Sequence, residues 1–563
     1  MNERDHLLNR RALLQKASLG AAGLAGASLL SGTQLTNSAA AQDTAATPQA
    51  GGTLTIGVGQ KTSNSNMLFL RHFAGSENIY TRLLANARLV TLDHERKNMI
   101  GALAESFEFS DDTKSLTFKL RPGLTWHDGE PFTSADVKFT YHMIGIPGIG
   151  TTLYGSLFDP IVVGNKEWVD GSADSISGLT TPDDTTVVFE LFENLNQFEV
   201  LQTFNQICIA PNHILSSYLN RDTGVDILQS EWATTKHVGI GPFKVVEYVA
   251  DQYIRYEPFE NYYNGKPLLG EVVYRPFLDA QTVAASLESG ELDSGRIPTT
   301  EFERFSGMDS LTMTSPPSPS YQGTPFNARQ PFLSKEVRQA LTYAIDREAI
   351  AKTVYSGAVE VVHTPLNTTL YGESPNLVKY NYDPEKAKSL LQTAGWDPNY
   401  TIRWALIELP TDEQAIAYYT AIFDYWNAVG VKTDFQVTGT DTSVLWGPNW
   451  DFDLYPSSYP IGTPGAIGIH LDPKLASYVS SGYSEPTYDD LWNKAATNLS
   501  QDEEIAVVHQ LQDIISDQAL TLMIVRSPDI WGTSKRVHNF NPNYFPYETD
   551  LYDWQLEKVW VDQ

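Results

Sequence analysis

The stretch from Ser334 to Val437 places the tightest limit on the fold, because helix signals run there directly into a strand signal. Val337, Ala340, Leu341, Ala344 and Ile345 follow the i, i+3, i+4, i+7, i+8 spacing of one helix face, behind Ser334 as N-cap. Asp383 caps a second helix, with Pro384 in its first turn, Ala387, Leu390, Leu391 and Ala394 as its stripe, and Gly395 as its stop. A third carries Ala415, Ile416, Tyr419, Ile422, Phe423 and Trp426 and ends at Gly430; Val431, Thr433, Phe435 and Val437 then alternate as a strand. Helix followed by strand, repeated, argues for α/β layers with partly parallel sheets.

The N-terminal half mixes the same elements less regularly. Gly52 to Val58 alternates as a first strand, and Leu116, Phe118 and Leu120 make another that Pro122-Gly123 turns. Thr133 stands three residues before Asp136, a capping-box spacing for a helix carrying Val137 and Tyr141. After Pro182-Asp183-Asp184, Thr186 to Leu191 reads as a further strand. These pieces predict an α+β lobe, and no internal repeat or long low-complexity linker divides the chain.

Composition narrows the function. At about 150 residues per domain, 563 residues allow three or four modules. With 68 Asp+Glu against 39 Lys+Arg the net charge is −29, a field that repels phosphate backbones, and no basic block offsets it, which argues against nucleic acid. Cys208 stands alone between Ile207 and Ile209, so it reads as a buried thiol that no intrachain disulfide can use. The one long apolar segment, Ala17 to Leu30, follows Arg4, Arg10, Arg11 and Lys16 and precedes Ala39-Ala40-Ala41. That is the layout of a cleaved export signal, and Asn9-Arg10-Arg11-Ala12-Leu13-Leu14 resembles a twin-arginine signal. Residues 1–41 are therefore set aside as a signal peptide. Thr33 stands where a lipidated cysteine would follow Leu30-Ser31-Gly32, so the expectation is a free periplasmic protein rather than a tethered one.

Several segments together carry a family resemblance. Ala104 to Asp112 runs into Leu116-Thr117-Phe118-Lys119-Leu120-Arg121-Pro122-Gly123 and on through Trp126-His127-Asp128-Gly129-Glu130-Pro131-Phe132-Thr133-Ser134-Ala135-Asp136-Val137. Val238-Gly239-Ile240-Gly241-Pro242-Phe243-Lys244-Val245, Asn261-Tyr262-Tyr263 and Gly290-Glu291-Leu292-Asp293 follow. Then come Pro331-Phe332, Val337 to Leu341, Tyr343-Ala344-Ile345-Asp346-Arg347 and Tyr382 to Ala387. In this order the segments resemble the large solute-binding proteins of ABC transporters (family 5) that take peptides, nickel, opines and some oligosaccharides. The resemblance implies a periplasmic-binding-protein-like fold of two α/β lobes on a hinge with an extra inserted lobe. It places the first lobe at 42–88, 207–300 and 521–563, with a return strand near Thr521 to Val525, the inserted lobe at 89–206 and the second lobe at 301–520. It further implies capture of a polar solute by closure of the lobes and delivery to an inner-membrane permease with its ATPase subunits, by a monomer that uses no cofactor.

Within that frame the ligand contacts expected are Tyr321, Tyr459, Trp446, Tyr154, Arg296 and His72. The aromatics would stack on a ring or cover an apolar group, and Arg296 would hold a carboxylate or phosphate. Core packing accounts equally well for Trp446, Trp450 and Tyr459, and an exposed hinge arginine is the favoured reading of Arg296. Peptide-binding relatives carry, in the segment after a Phe-Asp-hydrophobic strand, an aspartate that pairs with the peptide ammonium. Here Phe452-Asp453-Leu454 leads to Gly462 at about that place, which tilts the expectation toward an oligosaccharide or opine over a di- or oligopeptide. His470 is the candidate for a nickel chelate, and a lone histidine makes a poor metal site. Trp126-His127-Asp128 reads as a structural turn rather than an acid/base pair. No His-Glu-x-x-His, Gly-x-Ser-x-Gly or paired-cysteine motif occurs, so a binding protein is expected rather than an enzyme. An exported hydrolase, or a peptide chaperone or sensor co-receptor on the same fold, are the competing readings.

Overall fold

The computed structural model describes residues 47–59, 84–93, 98–146, 158–193, 195–220, 225–249, 251–314, 321–366, 368–410, 413–439, 451–455, 481–495, 497–526, 530–542 and 555–563. The chain forms two units. The larger comprises Gln42–Pro317 with Ala496–Leu499 and Asp529–Gln563; the smaller comprises Ser318–Ala495 and Ser500–Pro528. The expected signal peptide lies outside the described residues.

In the larger unit, seven strands among the described residues form one sheet. Their order is Leu311–Thr314, Trp531–Ser534, Ser294–Arg296, Thr53–Gly59, Glu271–Phe277, Tyr253–Pro258 and Phe243–Val249. Thr53–Gly59 is parallel to both of its neighbours. Parallel neighbours need a crossover, and helix Ala280–Glu288 supplies one between Glu271–Phe277 and Ser294–Arg296. Asp279 caps that helix by accepting from the Thr282 amide at 2.7 Å. Leu54, Ile56, Val272 and Tyr274 are buried in this sheet's core, and Gly57 is held small by Leu292, whose Cδ1 lies 2.3 Å from where a β-carbon would stand. Asp293 closes the arrangement: its carboxylate accepts from the Thr55 amide and, through both oxygens, from Nε and Nη2 of Arg536, pinning the C-terminal segment to the sheet.

The same unit holds a four-stranded antiparallel sheet, Ala104–Phe109, Ser115–Leu120, Thr186–Glu190 and Leu179–Asp183 in that order, within the span expected of the inserted lobe. Helix Ser134–Ile144 starts at the expected capping box, with Thr133 and Asp136 each bonding the other's backbone. Phe118, Tyr141, Phe158, Phe189 and Phe204 pack edge to face or tilted at 4.7–6.0 Å in its core. Cys208 is buried there and forms no disulfide.

The smaller unit realises the helix pattern that opened the sequence argument. Ser334 caps Lys335–Tyr343, Asp383 caps Pro384–Thr393, and Glu413–Ala428 runs to Gly430, which takes φ +86° before strand Lys432–Val437. That strand lies parallel to Thr401–Leu406. Val337, Ala340, Leu341, Ala344 and Ile345 are all buried with Trp404 and Trp426 in one core. Two arginines of the resemblance motifs are buried here as braces. Arg338 donates to the Gln518 and Leu333 carbonyls, and Arg347 to those of Val362, Tyr380 and Met523.

Two expected lobe boundaries differ from what the strand pairing shows. Thr521–Arg526, expected as the return strand of the first lobe, sits between Tyr321–Pro325 and Glu360–Val361 in the smaller unit; the strand that returns to the large sheet is Trp531–Ser534. The residues 301–317, expected in the second lobe, stay with the larger unit because Leu311–Thr314 adds to that sheet as its edge. The apolar run Leu522 to Val525 announces its burial, but its partner is a long-range choice that periodicity does not carry.

Candidate ligand site

Of the six expected contacts, two fall among the described residues. Tyr459, Trp446, Tyr154 and His72 lie outside them, as do Trp450, Gly462 and His470. Tyr321 and Arg296 belong to different units, Tyr321 at the start of the strand Tyr321–Pro325 and Arg296 at the end of the strand Ser294–Arg296.

In the smaller unit Tyr321 opens strand Tyr321–Pro325, and its ring lies over Gly323, where a β-carbon would stand 2.7 Å from two ring carbons. A register shift between Gln322 and Gly323 accompanies this packing. Across the ladder Tyr321 faces Arg526, and Arg526 faces Glu360 on its other side. The Arg526 guanidinium lies 3.2 Å from Glu360 and donates to Thr368 Oγ1 at 2.8 Å. Burial lowers its pKa, while Glu360 acts in the opposite sense. In the larger unit Arg296 ends its strand opposite Trp531, which faces Thr314 on the next strand. The Ile297 amide donates to the Ile530 carbonyl and extends the pairing by a step.

The segment expected to carry the ligand aromatics is anchored at both ends on the same short stretch. Leu454 bridges Phe326 on one side and Trp404 on the other, which makes Phe452-Asp453-Leu454 the inter-strand piece the resemblance placed before the ligand segment. Asn327 binds the Asp453 carbonyl through its amide and the Phe452 carbonyl through Nδ2, and the Ala328 amide binds the Ser481 carbonyl where the description resumes. Asp453 is fully buried. Its Oδ2 accepts from Tyr400 Oη and the Arg403 amide, both at 2.8 Å, and its Oδ1 from Arg403 Nη2 at 3.2 Å. Burial, then this carboxylate, push the Tyr400 hydroxyl up to about 12. Arg329 packs its guanidinium against the backbone of Gly482, and burial lowers its pKa to about 10. Sequence reasoning named neither Arg526 nor Arg329; a charge ending the apolar run from Thr521 was the one visible signal for the first.

The remaining resemblance motifs turn out to hold the frame. The Gly239 amide donates to His127 Nδ1 at 3.2 Å, so Nε2 carries the proton and donates to the Gly241 carbonyl at 2.9 Å. Thus the Trp-His-Asp turn and the Gly-Ile-Gly-Pro-Phe segment are mates, and burial drops the His127 pKa to about 4. Gly239 leaves no room for a side chain, since a β-carbon there would meet the Ala85 carbonyl oxygen at 1.8 Å. His237 is buried against Asn86, with its pKa lowered to about 3 by desolvation and the neighbouring His127. Among the described residues no group of three or more His, Cys, Asp or Glu is placed to hold a metal ion.

Two units of mixed helix and sheet, between which the chain crosses more than once, define the class: a two-lobe binding protein of the periplasmic type. The chain belongs to the bacterial extracellular solute-binding proteins, family 5, whose model (the "Middle" portion) matches residues 98–468. A provisionally named ABC transporter peptide-binding protein of Brucella ovis is 33% identical over 313 residues, 55% of this chain and 54% of that protein. The match thus spans about half the length of that relative. The oligopeptide-binding protein AppA of Bacillus subtilis is 26% identical over 544 residues, covering 92% of this chain and 94% of AppA. Among solved structures, the ABC transporter substrate-binding protein CtaP of Listeria monocytogenes superposes with a TM-score of 0.72 at 25% identity, over 92% of this chain and 100% of CtaP.

Proposed function

We propose that this chain is the solute-binding component of an ABC importer, that its solute is a peptide, and that it binds without chemical turnover. The observation that carries this is the family match over residues 98–468, joined by a relative named for oligopeptide binding that aligns over nearly the whole chain. That alignment moves the reading away from the oligosaccharide or opine suggested by Gly462. In this account the two units close on the peptide, and an inner-membrane permease with its ATPase subunits takes it from the closed, monomeric protein. Export by the twin-arginine route, from Arg10-Arg11 and the cleavage region near Ala41, completes the reading. The contacts assigned to the ligand are Tyr321, Tyr459, Trp446, Tyr154, Arg296 and His72. Mass spectrometry of ligand released from protein purified from its own periplasm tests the proposal. A mixture of short peptides supports it; a single opine or oligosaccharide species, or cleavage of added peptide, overturns it.

A further inference from the structure

Two motif segments without a part in that account, Arg121 and Tyr262-Tyr263, meet at a cavity of about 190 Å³ within the larger unit. Among the described residues its lining includes the cations Arg88, Arg121 and Lys558 and one carboxylate, Glu557, in a chain of net charge −29. Arg121 is held in place from behind: Nε donates to the Ala102 carbonyl at 2.7 Å and Nη2 to that of Gly101 at 3.4 Å, which orients the guanidinium plane. The same guanidinium lies 5.0 Å from the centre of the Tyr263 ring, and the Tyr262 and Tyr263 rings are 4.5 Å apart. Arg88 is buried, donating to the Asn205 carbonyl and Thr91 Oγ1. Lys558 is exposed. Asn264 donates to Glu557 at 3.2 Å.

We propose that this cavity is a second binding site, for a small organic anion whose carboxylate or phosphate head lies on Arg121 and Lys558 and whose flat body lies against Tyr262 and Tyr263. A cavity of about 150 Å³ accepts benzene, so this one has room for a ring and a head group and is too small for a peptide. A guanidinium fixed by backbone carbonyls loses little freedom on binding, and the exposed Lys558 of the lining is free to bring a second charge to the head group.

The test is calorimetric titration of the full chain with benzoate, with inorganic phosphate, and with neutral benzamide. Benzoate should bind one to one and benzamide at least about tenfold more weakly, the loss expected of a charge-assisted bond. Phosphate that competes with benzoate places the affinity in the head group; phosphate that does not places it in the ring as well. Lys558→Met should weaken benzoate about tenfold, and Arg121→Met at least as much. Because Arg121 also braces Gly101 and Ala102, Lys558→Met decides should the arginine variant fail to fold. No benzoate heat at millimolar concentration, or equal affinity in wild type and Lys558→Met, overturns the proposal. Peptide affinity is expected unchanged in both variants, so loss of the anion site and loss of peptide binding are separate results.

Discussion

Asp453 offers the sharpest test of how the candidate site is held. Its carboxylate is completely buried, while the Arg403 side chain is 33% exposed and also pairs with Asp451. In Asp453→Asn the amide nitrogen must replace one oxygen. Placed at Oδ2 it faces two donors, Tyr400 Oη and the Arg403 amide; placed at Oδ1 it faces the guanidinium alone. The second choice is cheaper and gives up one charge-assisted bond, about 2 kcal/mol. Asp453→Ala gives up all three and strands a buried amide, about 4 kcal/mol. Urea denaturation followed by tryptophan fluorescence should therefore rank wild type, Asn and Ala in falling order. Peptide affinity measured well below the denaturation midpoint should fall with them, since Phe452-Asp453-Leu454 leads into the proposed ligand segment. Stability within about 0.5 kcal/mol of wild type in both variants would refute the reasoning. Lost binding at full stability would instead make Asp453 a ligand contact.

Three further outcomes follow from the same structure. His127 and His237 titrate near 6.5 when unfolded but only at about 4 and 3 when folded, so protons favour the unfolded state as pH falls below 6.5. The larger unit should lose up to about 1.4 kcal/mol per pH unit per histidine down to pH 4. His127→Gln should flatten that slope in pH-resolved melting, and an unchanged slope would discount His127. Gly239→Ala should cost about 3 kcal/mol or more, because the clash is with backbone rather than a movable side chain; soluble expression with a wild-type melting point would contradict it. With Gly462 where an ammonium-pairing carboxylate would stand, N-acetylated and free peptides should bind within about threefold of each other. A free amine favoured at least about tenfold would show that another group pairs with it.

What the sequence made legible was local. Thr133 with Asp136, Ser334 and Asp383 mark helix starts by chemistry contained within four residues, and each caps the helix expected. The motif order likewise carried the family. Pairing was less legible: Thr521–Arg526 is buried along its whole length, which says that it is central and not in which sheet. The motif residues His127, Asp293, Arg338 and Arg347 proved to be braces, since their hydrogen bonds run to backbone, or in Asp293 also to Arg536, far away in sequence. Conversely, Arg526 and Asp453 frame the candidate site through register and burial, neither of which a single position in the sequence displays.

The central claim, capture of a peptide without turnover, is met most directly by one titration. Ligand-stripped protein is titrated calorimetrically with a defined short peptide, an opine and an oligosaccharide in turn, and the peptide is recovered and weighed by mass spectrometry. The account predicts one-to-one saturation by the peptide, no heat from the other two, and a recovered peptide of unchanged mass. Saturation by the opine or the oligosaccharide with no peptide heat would contradict it, as would a peptide returned in pieces.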